Sequence, residues 1–306
     1  MENETWNAEN IPSQKSRVAI VTGSSSGIGY ETARVLANKQ ASVIIAVRNL
    51  DKGNKALAKI RQQYPDADLK VMELDLANLA AVKNFTENFK QNYSHLDLLI
   101  NNAGVMIPPY TKTVDGFELQ FGTNHLGHFA LTGQLLSLLL GTKGSRIVNV
   151  SSGAHAMGKI DLDDLPWEKR SYAPWKAYGD SKLANLYFTY ELDRQLKAHN
   201  LETLVTASHP GWTATELQRE TPFMEYLNGF FAQNITMGAL PTLRAAIEPG
   251  LQGAEYFGPK GFMEMRGYPV KVKSNELSQD QAIAKKLWEA SEKLTGVKFE
   301  FNRPLP

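Results

Sequence analysis

Short apolar runs alternate with longer amphipathic stretches from residue 17 onward. The runs are "RVAIVT" (17–22), "SVIIAV" (42–47), "LKVMEL" (69–74), "LDLLI" (96–100), "RIVNVS" (146–151) and "TLVTAS" (203–208). Each is short and rich in β-branched residues, without clean polar alternation. That is the pattern of strands covered on both faces. Between them, stretches such as "YETARVLANK", "KGNKALAKIRQQ", "AAVKNFTENFKQ" and "TNHLGHFALTGQLL" follow a helical period. Strand–helix repetition at this spacing predicts an α/β protein with a parallel, doubly wound sheet.

The regularity fades after about residue 212. "ELQRETPFMEYLNGFFAQN" (216–234) is apolar and aromatic without a strand nearby, and reads as a helical flap within about 212–235. "TMGALPTLRAAIEPG" (236–250) predicts a returning helix ended by Pro-Gly, and "GAEYFGP" (253–259) a last edge strand. "SQDQAIAKKLWEASEKLTG" (278–296) predicts a helix with Ser278 as its N-cap and Gly296 as its stop. No repeat, low-complexity tract or linker divides the chain. One domain over 17–306 is expected, preceded by a polar arm, 1–16.

Composition narrows the function classes. Lys+Arg (33) nearly balance Asp+Glu (32), so no basic face for nucleic acid is expected. With no cysteine, disulfides, thiolate metal sites and thiol nucleophiles are excluded. The N-terminal arm lacks the pattern of a signal peptide, and "ALTGQLLSLLLG" (130–141) is too short to span a bilayer. A cytoplasmic protein without a membrane anchor is the expectation. His125 and His128 stand three apart on a predicted helix, but no third ligand type clusters with them, so packing or loop contacts are expected and no metal.

The first strand runs into "TGSSSGIGYETA" (22–33). Gly23, Gly27 and Gly29 permit a tight turn and close approach of backbone amides to a ligand. Ser25, Ser26 and Ile28 lie in the same turn, and the helix N-terminus behind it favours a phosphate. The spacing is G-x-x-x-G-x-G rather than the commoner G-x-G-x-x-G, and an ordinary tight βα turn is the plain alternative. In a sheet of this kind the turn points to dinucleotide binding and a Rossmann-type fold, a doubly wound sheet of about seven strands with helices on both faces.

The second strand ends "AVRN". An acid at that tip would bind a ribose 2′-hydroxyl, whereas an arginine accepts a 2′-phosphate. Arg48 stands there, so NADP(H) is expected over NAD(H); the alternative is a solvated arginine. In "YGDSK" (178–182), Tyr178 and Lys182 are four apart, one turn along one helix face. Alone, this spacing suits any wet helix surface. Beside a nicotinamide cofactor, a tyrosine stabilised as phenolate by an ammonium is a proton carrier for carbonyl reduction or alcohol oxidation.

Read together, "TGSSSGIG" (22–29), "NNAG" (101–104), "VNVSS" (148–152) and "YGDSK" resemble the short-chain dehydrogenase/reductase family in type, order and spacing. The resemblance extends over "LDLANL" (74–79), "TNHLGHF" (123–129) and "HPGWTATEL" (209–217), roughly residues 17 to 270. It is most similar to the branch of retinol-dehydrogenase-like, WW-domain-oxidoreductase-like and protochlorophyllide-reductase-like proteins. It implies a catalytic set of Asn124, Ser152, Tyr178 and Lys182, with Ser151 competing for the serine's role and Asn124 holding a water that relays protons from Lys182. It implies cofactor contacts by Asp75 and Leu76 at the adenine, and by Asn102, Ala103 and Gly104 along the ribose. Pro210, Gly211 and Thr215 would hold the nicotinamide amide, with hydride leaving its B face.

Two departures from that branch stand out: no N-terminal anchor like that of its membrane-bound retinoid members is expected, and the sequence has no cysteine like that used beside the tyrosine in protochlorophyllide reductase. Candidate pocket walls, "VMIPPY" (105–110), "AHAMG" (154–158), Trp212 and the flap, are largely apolar. They suggest a lipophilic small-molecule carbonyl or alcohol. Two other functions stay open: a non-catalytic NADP(H) sensor or interaction protein, and a C=C reductase of the protochlorophyllide-reductase type. The segment 153–177 is long for the family and either shapes the pocket or masks the helix after it. A homodimer through the Tyr178 helix is the expected assembly.

Overall fold

The computed structural model describes residues 5–213 and 233–302. The predicted runs become strands β1 (Val18–Thr22), β2 (Ser42–Val47), β3 (Leu69–Glu73), β4 (Leu98–Asn101), β5 (Arg146–Val150) and β6 (Leu204–Ser208). With β7 (Tyr256–Pro259) and β8 (Pro269–Lys271) they form one eight-stranded sheet, ordered β3-β2-β1-β4-β5-β6-β7-β8. Pairing is parallel from β3 to β7, with Ile20 opposite Ile44 and Val21 opposite Ile100 around the central β1. Strand β8 is antiparallel to β7.

That last pairing corrects the expected edge. Strand β7 is fully buried and internal, and three-residue β8 is the true edge. A three-residue strand opening on proline carries too little periodicity to be seen in sequence.

The helices are α1 (Gly27–Asn38), α2 (Leu50–Gln63), α3 (Leu79–Asn92), α4 (Gly127–Leu140), α5 (Pro174–Ala198), α6 (Ile235–Ile247) and α7 (Gln281–Thr295). Leu36 of α1, Ile60 of α2 and Leu243 of α6 pack on one sheet face with Val21 and Ile45. Phe89 of α3, Leu135 of α4, Phe188 of α5 and Trp288 of α7 cover the other with Ile20 and Leu99. Side chains of Asn49, Asn78, Asn234 and Asp280 cap the starts of α2, α3, α6 and α7. Asp280, not Ser278, therefore begins the C-terminal helix; Ser278 sits in a preceding 3-10 turn, Glu276–Gln279. Gly296 ends α7 in the left-handed region, at φ 68°.

Three further features depart from the sequence pattern. The N-terminal arm is polar overall, yet Trp6 and Ile11 are buried against α1 and α6. The helix predicted over "TNHLGHFALTGQLL" is not uniform, because a π-turn, Gly122–Leu126, precedes α4. The segment 153–177 is irregular apart from a 3-10 turn, Gly153–Met157, and its last residues, from Pro174, which already belong to α5.

Helix α5 is buried from Ala177 through Asp193 within its own chain. Residues 158–172 pin its start: the Lys159 backbone N–H donates to Asp180 at 2.7 Å, and Arg170 pairs with Asp180 at 3.3 Å. Ala284 and Leu287 of α7 pack on Leu183 and Tyr187. The helix expected to join two subunits is thus covered by this chain's own segments.

Candidate active site

The strand order reverses direction between β1 and β4, opening a crevice at the carboxyl ends of the strands. A cavity of about 340 Å³ lies there. Gly23 and Gly27 adopt positive φ, 67° and 59°, which the turn out of β1 demands. At Gly29 a Cβ would come within 2.6 Å of the Gly23 carbonyl oxygen, so the floor must lack a side chain. Ser26 precedes α1 without capping it, which leaves the first-turn N–H groups facing the cavity.

Thr22 ties this turn to the next. Its Oγ1 accepts from the backbone N–H groups of Asn102 and Ala103, each at 2.9 Å, and Asn102 Nδ2 donates to the Thr22 carbonyl at 2.8 Å. Arg48 lies at the tip of β2. Lys52, on the first turn of α2, lines the same cavity and was not singled out in the sequence. Asp75, Leu76 and Gly104 line it too, as do Ser25, Ile28 and Pro210.

At the inner end stand Tyr178 and Lys182, on one face of α5 as their spacing required. Lys182 Nζ donates to the Val150 carbonyl at 3.1 Å and lies 5.7 Å from the centre of the Tyr178 ring. Burial controls both groups. It pushes the Tyr178 phenol up to about 12, against a hydrogen bond from Ser152 that pulls it down. It pushes the Lys182 ammonium down to about 8. In the chain itself, loss of solvation sets the phenol, and Ser152, rather than the ammonium, is what pulls it down.

Of the two candidate serines, Ser151 lines the cavity and Ser152 lies beside the Tyr178 phenol. Ser151 Oγ donates to the Lys182 carbonyl at 2.8 Å and holds backbone together. Ser152 begins the 3-10 turn, accepts from Ala154 N–H at 3.2 Å, and faces the Tyr178 phenol. Asn124 lies behind the cavity, fully buried. Its Oδ1 accepts from Val105 N–H at 2.8 Å, and its Nδ2 donates to the Val105 carbonyl at 3.0 Å and to Ser181 Oγ at 2.9 Å. The side chain is a clamp between the 104–105 segment and α5.

His125 and His128 face different partners. His125 sits among Phe121, Phe129 and Phe188 and bonds Ser291 of α7 at 2.9 Å. His128 bonds Thr22 Oγ1 at 2.9 Å and the Asn124 carbonyl at 3.0 Å. His209 buttresses a turn: it accepts from Gly211 N–H at 3.3 Å and donates to Glu264 at 2.7 Å. Gly211 stands at φ 64° against the 264–265 backbone, outside the cavity lining. Thr215 and most of the flap lie outside the described residues.

The residues present fit a dinucleotide. The glycine cradle and the uncapped N-terminus of α1 suit a pyrophosphate. Arg48 and Lys52 suit an added phosphate. Thr123 Oγ1 lines the cavity, nine-tenths buried and without a hydrogen-bond partner. A buried orphan hydroxyl is costly unless a ligand or water completes it. Among the described residues, no helix is long and apolar enough to cross a membrane.

Comparison with known proteins points to one family. A family model described as short chain dehydrogenase matches residues 17–225. Human retinol dehydrogenase 11 is 39% identical over 287 residues, covering 93% of this chain and 87% of that protein. Human retinol dehydrogenase 12 is 40% identical over 287 residues, covering 93% and 88%. Among solved structures, an uncharacterised Mycobacterium paratuberculosis protein shares 41% identity and a TM-score of 0.83, over 97% of this chain and 99% of that one. A short chain dehydrogenase from Shigella flexneri complexed with NADP shares the fold, with a TM-score of 0.63 at 23% identity, over 80% and 97% of the two chains.

Proposed function

The chain belongs to the short-chain dehydrogenase family, in its retinol-dehydrogenase-like branch, and we propose that it interconverts a lipophilic carbonyl compound and its alcohol with NADP(H). The observation that carries this reading is the convergence of Tyr178 and Lys182 at one end of a cavity whose other end presents Arg48 and Lys52, with Ser152 beside the Tyr178 phenol. NADP(H) supplies or accepts the hydride.

Tyr178 donates its phenolic proton to the substrate oxygen during reduction and takes it back during oxidation. A phenol near about 12 stays protonated at neutral pH, which suits it to the reductive direction. Ser152 donates a hydrogen bond to the same oxygen as negative charge grows there. Lys182 holds its ammonium at the cofactor side of the phenol and stabilises the phenolate left after proton transfer. Asn124 keeps the 104–105 segment and α5 at fixed separation. Arg48 and Lys52 present charge to the 2′-phosphate, with no carboxylate in position at the tip of β2 to repel it.

The lipophilic substrate class is supported by the apolar stretch 105–110, of which Val105 lines the cavity, and by the names of the relatives. A panel of retinoid, aliphatic and aromatic aldehydes and ketones, with sugars and polyols as controls, tests the reading with NADPH and NADH side by side. Turnover of lipophilic aldehydes with NADPH supports it. Faster turnover of polyols, or equal use of NADH, overturns the corresponding half. NADPH binding without turnover of any carbonyl would instead favour a sensor on the same fold.

A further inference from the structure

His128 lies 106 positions from Thr22, yet the two meet inside the fold at 2.9 Å. The hydrogen bonds around them have only one consistent direction. Thr22 Oγ1 already accepts from Asn102 N–H and Ala103 N–H, so both its lone pairs are used. Its single hydrogen has two acceptors in reach, Ile100 O at 3.3 Å and His128 Nε2 at 2.9 Å. On the other side of the ring, Nδ1 faces the Asn124 carbonyl at 3.0 Å, and a carbonyl only accepts. His128 Nδ1 therefore carries the proton, and Nε2 accepts from Thr22. The ring is neutral, in agreement with burial that pushes it down to about 4.

The chain of donors continues beyond the imidazole. Asn124, whose carbonyl His128 holds, gives its Nδ2–H to Ser181 Oγ, and Ser181 gives its hydroxyl hydrogen to the Tyr178 carbonyl at 2.8 Å. Asn124 also brackets both backbone groups of Val105. The path runs from the 102–105 turn, through Thr22, His128 and Asn124, to the backbone of the catalytic tyrosine. Asn124 lies in the π-turn Gly122–Leu126, where the regular i to i−4 ladder is interrupted and a side-chain donor fixes a carbonyl that the ladder leaves less constrained.

We propose that His128 is a positioning residue for hydride transfer: as a neutral Nδ1–H imidazole it locks the cofactor-side turn at 102–105 to the Tyr178–Lys182 helix through Asn124. The proposal rests on the functional reading above for its kinetic consequence, but not for its structural one. Linked hydrogen bonds of this kind polarise and stiffen one another in a dry interior. His125 is an internal control, since it is equally buried three residues earlier and points to Ser291 and the aromatic cluster.

The test compares His128→Phe, His128→Gln and His125→Phe in the full chain. Glutamine offers an oxygen to Thr22 and an N–H to the Asn124 carbonyl; phenylalanine offers neither. Amide hydrogen exchange in the chain without cofactor reads the structural half. Peptides covering 101–106 should exchange roughly tenfold or more faster in His128→Phe, recover in His128→Gln, and match wild type in His125→Phe. Steady-state reduction with NADPH reads the other half. His128→Phe should lose roughly tenfold or more in kcat with a smaller change in substrate KM, and show a larger isotope effect with 4-deuterated NADPH.

Equal exchange at 101–106 in His128→Phe and His125→Phe would overturn the proposal, as would failure of His128→Gln to restore either readout. Absence of wild-type turnover on every carbonyl would break the functional reading and leave the exchange measurement to decide the structural claim. Should His128→Phe fail to fold, His128→Gln against His128→Asn decides it: asparagine is equally polar but one methylene too short to reach both Thr22 and the Asn124 carbonyl, so faster exchange at 101–106 in His128→Asn alone supports the proposal, and equal exchange in the two overturns it.

Discussion

The two ends of the cavity are built in different ways. The nucleotide end comes from strand tips and the helices that directly follow them: the glycine turn after β1, Arg48 after β2, Asp75 after β3 and Asn102 after β4. Each functional residue stands within a few positions of the element that places it. Beyond the cavity lining lie irregular segments tied by side chains distant in sequence. Tyr110 bonds the Pro166 carbonyl and packs on Tyr172; Lys112 pairs with Glu168; Arg170 stacks on Trp167 at 3.6 Å. On the other side, His209 and Gly211 rest on the β7–β8 turn, where Met263 and Glu264 hold positive φ of 49° and 55°. Regular elements fix the part that does not vary with substrate, and loops carry the part that does.

Replacing Tyr178 by Phe should give the largest effect, because it removes the proposed proton carrier at the inner end of the cavity. A loss of roughly 10²- to 10⁴-fold in kcat is expected, with NADPH affinity near wild type. A stopped-flow measurement of hydride transfer with separate NADPH titration would break the division of labour if both fell together. Arg48→Ala should act on the nucleotide end alone. Loss of a charge-assisted pair worth about 1.5–3 kcal/mol corresponds to roughly 10- to 100-fold weaker NADPH binding, while NADH use should change little. Lys52→Ala should show the same sign at smaller size.

The pH profile tests the meeting point from another side. With Lys182 near 8, its ammonium is present below that pH and lost above it, while Tyr178 near 12 stays protonated throughout. Reductive kcat/KM should therefore be level up to about pH 8 and fall above it. Oxidation, which needs the phenol deprotonated, should rise across the same range. Lys182→Arg keeps its charge and should move the reductive limb upward even as its plateau drops. The smallest effect belongs to the wall. Lys112→Ala breaks an exposed pair and should leave the melting temperature close to wild type. Its signature is a severalfold shift in substrate KM at unchanged NADPH affinity; equal shifts in both would erase the distinction between the two ends.

The same division explains what could be read in advance. Strands β1, β2 and β4 are buried on both faces, so their apolar runs are unbroken, and the turns after β1 and β4 carry glycines at the positions that need them. Tyr178 and Lys182 were legible because helical spacing is local. The clamp at Asn124 and the Thr22–His128 bond were not, since each depends on residues brought together only by the finished sheet. Trp6 and Ile11 are single apolar residues in a polar stretch, and nothing local shows that α1 and α6 leave room for them. Ser278 and Asp280 both suit an N-cap, and only packing chooses between them. Lys52 falls on a helix whose amphipathic pattern explains it equally well as a solvated charge.

The covering of α5 by α7 has a consequence for how the enzyme tolerates dilution. Where a catalytic helix is sealed by a second subunit, the seal weakens as the protein becomes scarce, because association depends on concentration. Here Ala284 and Leu287 press on Leu183 and Tyr187 from the same chain, so the seal has an effective concentration set by covalent connection alone. Its melting temperature should be the same over a hundredfold range of protein concentration, roughly from micromolar downward. Specific activity should follow the same rule: a few molecules in a large volume would work, each one, as well as many.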